Sequence, residues 1–218
     1  MSRSDQIALL GLAVATLLSL VSLFISLHAN RISAGAEELA KAAYFAERRI
    51  ALTSAVGKDE HGAEYLLLSP SGSDQAINNV TLFFPQKLRI PPIALAAGDL
   101  RLFHVGISEQ IRAYWDSRTP TKEGFALVRP NVPMPVAVVI HGYTKGDAVI
   151  TCGIYDLYCR YARLDGTSAH LQILSLTLNN WSLPNADPQD EADRALAAQE
   201  AVTSSSNPPI QPTGSAGD

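Results

Sequence analysis

Apolar and polar residues fall along this chain in three regimes. From Ile7 to Leu27 no residue is charged, and the most polar members are Thr16, Ser19, Ser22 and Ser26. These 21 residues, at about 1.5 Å rise each, make a helix of about 31 Å, matching the hydrocarbon thickness of a bilayer. Inside a helix the four hydroxyls bond back to carbonyls of the preceding turn and so do not oppose insertion. The pattern predicts a short flank at 1–6 and a transmembrane helix over 7–28. A cleaved signal peptide is the rival reading, with Arg3 as a weak positive flank and Ala34-Gly35-Ala36 as a small-x-small site. The apolar run is longer than a signal core, and that site lies beyond Arg31, so an uncleaved anchor is expected.

The second regime, 29–56, is rich in Ala and Glu, has no proline, and has glycine only at Gly35. Its strong helix formers predict a helical stalk. Ile32, Ala36, Leu39, Ala43, Ala46, Ile50 and Thr53 alternate at spacings of four and three, an a/d seam through which the stalk would form a homo-oligomer; the alternatives are a stalk lying against its own β-domain and a lone helix continuing out of the membrane. Gly57 to Gly62 carries glycine at both ends, and 57–64 is expected as a linker.

From Tyr65 the period changes to that of strands. The expected strands are Tyr65–Ser69, Val80–Phe84, Leu100–Gly106, Phe125–Val128, Val136–Tyr143, Ala148–Tyr155, Tyr158–Leu164 and Leu171–Leu178. Thr144-Lys145-Gly146-Asp147 reads as a hairpin turn, and the proline-rich stretch 130–135 as a further break. Ile107 to Trp115 is a single helical excursion, with Ile107, Ile111, Tyr114 and Trp115 on one face. The reading is mainly β: an antiparallel β-sandwich-like domain of about eight strands over 65–184. The acidic segment 185–218 is expected as a disordered tail with a frayed helix over Asp187 to Val202.

Charge changes the picture mainly by exclusion. Net charge is +1 over 1–56, zero over 57–184 and −5 over 185–218. A neutral, mixed domain has no electrostatic footprint for nucleic acid, and none is expected as a partner.

The segment Val138-Val139-Ile140-His141-Gly142-Tyr143 resembles the His-Gly oxyanion strand of α/β-hydrolases. No Gly-x-Ser-x-Gly elbow exists, and only 76 residues follow Gly142, so His141 reads as an ordinary strand residue. His28, His61, His104, His141 and His170 are scattered singly, without ligand spacing, and neither metal nor cofactor is expected. If a turn is centred on Tyr155-Asp156, Cys152 faces Cys159 and a cross-strand disulfide fits; the alternative is two buried thiols. Tyr143, Tyr155, Tyr158 and Tyr161 crowd the same hairpins, either as the lining of a ligand groove or as core and rim residues.

Arg31, Lys41, Arg48 and Arg49 follow the span while only Arg3 precedes it, which by a narrow margin places the β-domain on the cytoplasmic side. The layout of one N-terminal span and a β-domain fits a bacterial inner-membrane protein, a likeness of composition alone. The expected function is a membrane-anchored, non-enzymatic protein-interaction module, held to the lipid bilayer through 7–28 and meeting an unidentified protein partner. The alternative is a domain binding a small ligand or envelope component through the Tyr-rich hairpins, with an enzyme as the lesser variant.

Overall fold

The computed structural model describes residues 3–118, 127–163, 169–182 and 186–205. Two compact units divide the chain, Met1–Arg48 and Arg49–Asp218. The first is a single unbroken helix, α1 (Arg3–Glu47). It includes a segment, Thr16–Lys41, long and apolar enough by length and composition to cross a membrane, and not buried among the described residues.

The helix expected to run to Val56 ends at Glu47. Thr53 lies in a strand, β1 (Leu52–Lys58), and Ile50, though in phase with the helical seam, is fully buried in the core of the second unit. A core offers Ile50 complete removal from water, which a narrow Ala-rich seam does not. The expected linker 57–64 is a β-hairpin. β1 pairs antiparallel with β2 (Glu64–Pro70), Lys58 opposite Glu64. The turn is closed by Asp59, whose Oδ1 accepts from the backbone N–H of His61 (2.9 Å) and Ala63 (2.7 Å), with Gly62 at φ 81°.

The second unit is mostly β, with eight strands in two antiparallel sheets among the described residues. The smaller sheet has the order β1-β2-β5, with β5 at Arg101–Phe103. The larger has the order β4-β3-β6-β7-β8, from β3 (Gln75–Phe83), β4 (Ile93–Ala96), β6 (Leu127–Thr144), β7 (Asp147–Arg163) and β8 (His170–Trp181). One hydrophobic core joins both sheets: Leu52, Leu66 and Leu102 from the small sheet meet Val80, Val138 and Leu157 from the large one. Ile107 and Ile111 of α2 (Ile107–Arg118), the helix expected from the sequence, close one side.

The sheets also meet along one edge through side-chain hydrogen bonds. Ser54 Oγ donates to the Leu176 carbonyl (3.2 Å) and accepts from the Leu176 N–H (2.8 Å). The buried Tyr155 hydroxyl accepts from the Leu52 N–H at 3.0 Å. These bonds satisfy backbone groups of edge strands that would otherwise be left without partners in a dry interior.

Two expected breaks do not interrupt the large sheet. The segment 130–135 lies inside β6, and Tyr155-Asp156 inside β7. Prolines fit β6 because β3 pairs with it only from Ala137 to Thr144, leaving the earlier half flanked by β7 alone. The bulge between Arg129 and Val132 absorbs the change of register.

The segment expected as a frayed helix in a disordered tail is instead α3 (Pro188–Ser205), docked on the domain with Ala192 and Leu196 buried. It covers the open flank of β6. Gln199 Nε2 donates to the Pro133 carbonyl (2.8 Å), and Gln189 Nε2 to the Phe84 carbonyl (2.7 Å), where a further strand would otherwise pair. The expected disorder of 206–218 and the turn at Asp165-Gly166 lie outside the described residues.

Candidate functional site

β7 decides where the sequence-selected residues stand. Because it is one continuous strand, successive side chains alternate between the core and the outer face. Tyr155 and Tyr161, six residues apart, both point into the core and are fully buried, whereas Tyr158 is half-buried on the other face. Tyr143, on β6, is exposed. The four tyrosines therefore do not line a common groove. Tyr161 donates to Asp116 Oδ1 at 2.5 Å, and burial pushes the Tyr155 hydroxyl up to about 12.

The same alternation separates the cysteines. Cys152 and Cys159 stand seven residues apart on β7, about 23 Å along the strand and on opposite faces. Both are free thiols, and the hairpin pairing expected between them does not form within the chain. Burial raises the Cys152 thiol and pushes that of Cys159 up to about 12, so neither is held as thiolate near neutrality.

Among the described residues no three His, Cys, Asp or Glu side chains converge as a metal site. His104 is buried, its Nδ1 3.6 Å from Glu64 Oε2 and its Nε2 without a hydrogen-bond partner among the described groups. Burial lowers its basicity more than Glu64 raises it. His141 stands on β6 opposite Ile150, within an ordinary antiparallel ladder. Gly142 serves packing. A Cβ there would stand 2.2 Å from the Ala76 carbonyl oxygen and 2.7 Å from Ile50 Cδ1.

One constellation of polar groups was not legible in the sequence, because it brings one carboxylate to partners 82 to 113 positions earlier in the chain. Glu200 of α3 accepts from Lys87 Nζ (2.8 Å), Tyr114 OH (2.7 Å) and Arg118 Nη2 (2.7 Å). Burial alone would raise its carboxyl, but the bonds from Lys87 and Tyr114 and the Arg118 charge hold it below the usual carboxylate range. Tyr114 is pushed upward by burial and by the Glu200 bond. A carboxylate with three donors and a lowered pKa is a poor general base. Asp193 accepts from the Gln86 N–H at 2.7 Å, so the cluster works with it to fasten α3 to α2 and to the short 3₁₀ turn Gln86–Leu88.

Two solvent-facing sheet surfaces remain. On the small sheet, Tyr65 stands opposite Gly57 and Phe103, and its ring fills the space above Gly57. The Tyr65 and Phe103 centroids are 5.7 Å apart, Arg101 lies 5.6 Å from each, and Leu67 is exposed beside them. On the large sheet, α3 covers Ala137 and Ile154, and the same face continues through half-buried Val139 and His141 to exposed Tyr143 of β6. Ile150 of β7, opposite His141, is 70% exposed.

Compared with known protein families, with curated proteins and with solved structures, the chain matches none.

Proposed function

We propose that this protein is a membrane-anchored, non-enzymatic protein-interaction module. The observation that carries the reading is the segment Thr16–Lys41 of α1, of membrane-spanning length and hydropathy and not buried among the described residues. Two further features support it. The convergent polar groups around Glu200 are engaged in holding α3, and both thiols and the Tyr155 hydroxyl are shifted by burial away from ionisation at neutral pH. The bare strip around Tyr143 and Ile150 gives a partner protein an apolar sheet surface.

In this reading the span lies within 7–28 in a bacterial inner membrane, and the helix from 29 to Glu47 is a stalk through which copies of the chain associate. The β-domain lies on the cytoplasmic side, following the positive residues beyond the span.

The test is fractionation combined with a topology reporter. The full chain should pellet with membranes and resist high salt, and a variant lacking residues 1–30 should be soluble. A photo-crosslinking residue at Ile150 should capture a discrete protein partner in cells, and one at Glu109, exposed on α2, should not. A full chain released by salt would defeat the anchored reading. A C-terminal reporter active only outside the cytoplasm would reverse the side. Equal labelling from Ile150 and Glu109 would remove the sheet surface from the proposal.

A further inference from the structure

Because α1 is unbroken from Arg3 to Glu47, a seven-residue repeat found in the stalk keeps its phase back through the apolar stretch. The stalk positions Ile32 and Leu39 belong to a line that continues at Ile25 and Leu18. All four are 61–74% exposed. The alternate line of the same seam reads Ala8, Ala15, Ser22, Ala29, Ala36 and Ala43, a small residue at every heptad. Gly11 and Ala46 close the large line at its two ends.

Charge is segregated from this seam. Between Ala29 and Ala46 the charged residues are Arg31, Glu37, Glu38 and Lys41, and their heptad positions all lie on the opposite side of the helix. Lys41 and Glu37 pair with each other there, Nζ to Oε1 at 2.6 Å. Outside a membrane, a helix face with no charge and two large exposed apolar residues calls for a cover.

Contact area decides how far the cover must extend. A seam over 29–46 is about 27 Å long, and a strip about 10 Å wide on each of two helices amounts to about 540 Å². Stable, specific interfaces begin at about 1,200 Å². From position 8 to position 46 the strip is about 58 Å long and two copies reach about 1,200 Å². The stalk alone falls short, and the full helix does not.

We propose that α1 pairs with α1 of a second copy, parallel and in register, along one left-handed seam that crosses both the span and the stalk. The proposal rests on the anchored reading above and deepens it. Two copies inserted the same way present parallel helices. A heptad repeat needs a partner with the same repeat, which a second copy supplies. The small residue in every heptad lets two backbones approach closely and leaves too little volume to fill a three-helix core.

The test is a single-cysteine scan over positions 18–46 of the full chain in membranes, with Cys152→Ser and Cys159→Ala removing the native thiols. Oxidative crosslinking to dimer should peak at Ser22, Ile25, Ala29, Ile32, Ala36 and Leu39. It should be at least fivefold weaker at Leu20, Leu27, Ala34 and Lys41. In a chain that keeps its native cysteines, Ile32→Asp with Leu39→Asp should lower the dimer fraction in micelles at least tenfold. A flat profile, or an unchanged dimer fraction in the double variant, would overturn the seam. Crosslinks confined to 29–46 would overturn its passage through the span while leaving stalk association standing, and ladders beyond dimer would overturn the pair. Absence of the chain from the membrane fraction would instead defeat the anchored reading, which the same gels report separately.

Discussion

Ile32 and Ile50 occupy the same seven-residue pattern, yet Ile32 is 63% exposed and Ile50 is fully buried. The difference sets α1 apart from the β-domain. In α1 each residue's surroundings follow from its neighbours three and four places away. In the β-domain they follow from segments 100 residues distant: Thr151 Oγ1 donates to the Ile50 carbonyl at 3.4 Å, and Gly142 opens space for the Ile50 side chain. A periodic pattern therefore identifies a helix but not its end, because a nearby core captures whichever apolar residue it buries more completely.

The sharpest way to break this comparison is to change a glycine in each region. Gly142→Ala forces a Cβ against the Ala76 carbonyl and should destabilise the β-domain by about 3 kcal/mol or more, since a backbone atom cannot swing aside. Gly35→Ala meets nothing within 4 Å and should leave the β-domain untouched while favouring α1 by up to about 1 kcal/mol. Thermal unfolding of the β-domain and helicity of an α1 peptide in micelles read the two effects. Equal Tm values for Gly142→Ala and the parent would refute the close approach.

Ile50→Ala should cost about 2–5 kcal/mol in denaturant unfolding and Ile32→Ala close to nothing. A similar loss from both would mean that the two isoleucines share one environment. Tyr155→Phe removes the acceptor of the buried Leu52 N–H and should cost about 1–3 kcal/mol, with amide exchange at Leu52 accelerating more than at Leu157. Glu200→Gln weakens a cluster that is partly open to solvent and should cost less than about 1 kcal/mol, seen mainly as faster exchange in α3.

The smallest predicted effect is a pH dependence confined to the β-domain. His104 has its folded pKa lowered from 6.5, chiefly by burial, so the unfolded chain binds the proton more readily. Its contribution to stability is complete above about pH 6.5 and is lost as the pH falls from there towards the folded value. Tm should fall between pH 7.5 and 5, and His104→Gln should flatten that slope. A slope unaltered by the substitution would assign the acid sensitivity to other groups.

Much of the fold was legible because it is written locally. The uncharged run Ile7 to Leu27, the helix around Ile107 and Ile111, and the alternation in β2, β3 and β8 each signal an element within one window. β1 was missed because Leu52 to Lys58 follows a helix without a proline and continues its spacing into Thr53. β4 was missed because Ile93–Ala96 is too short to show a period. Prolines at 130, 133 and 135 read as a break, since nothing local reveals that one flank of β6 lacks a strand. Of the candidate sites, the four tyrosines and two cysteines were visible as residues. Their separation onto two faces required knowing that β7 does not turn at Tyr155.

The sequence by itself determined the uncharged apolar run of the N-terminal helix, the neutrality of the β-rich region and the heptad spacing of α1, because period and charge are properties of adjacent residues. Only the tertiary structure decided that the helix α1 stops at Glu47, that α3 is docked rather than part of a loose tail, and that Glu200 gathers Lys87, Tyr114 and Arg118. Each of those outcomes depends on which distant surface removes most apolar area from water while leaving no buried carbonyl or N–H without a partner.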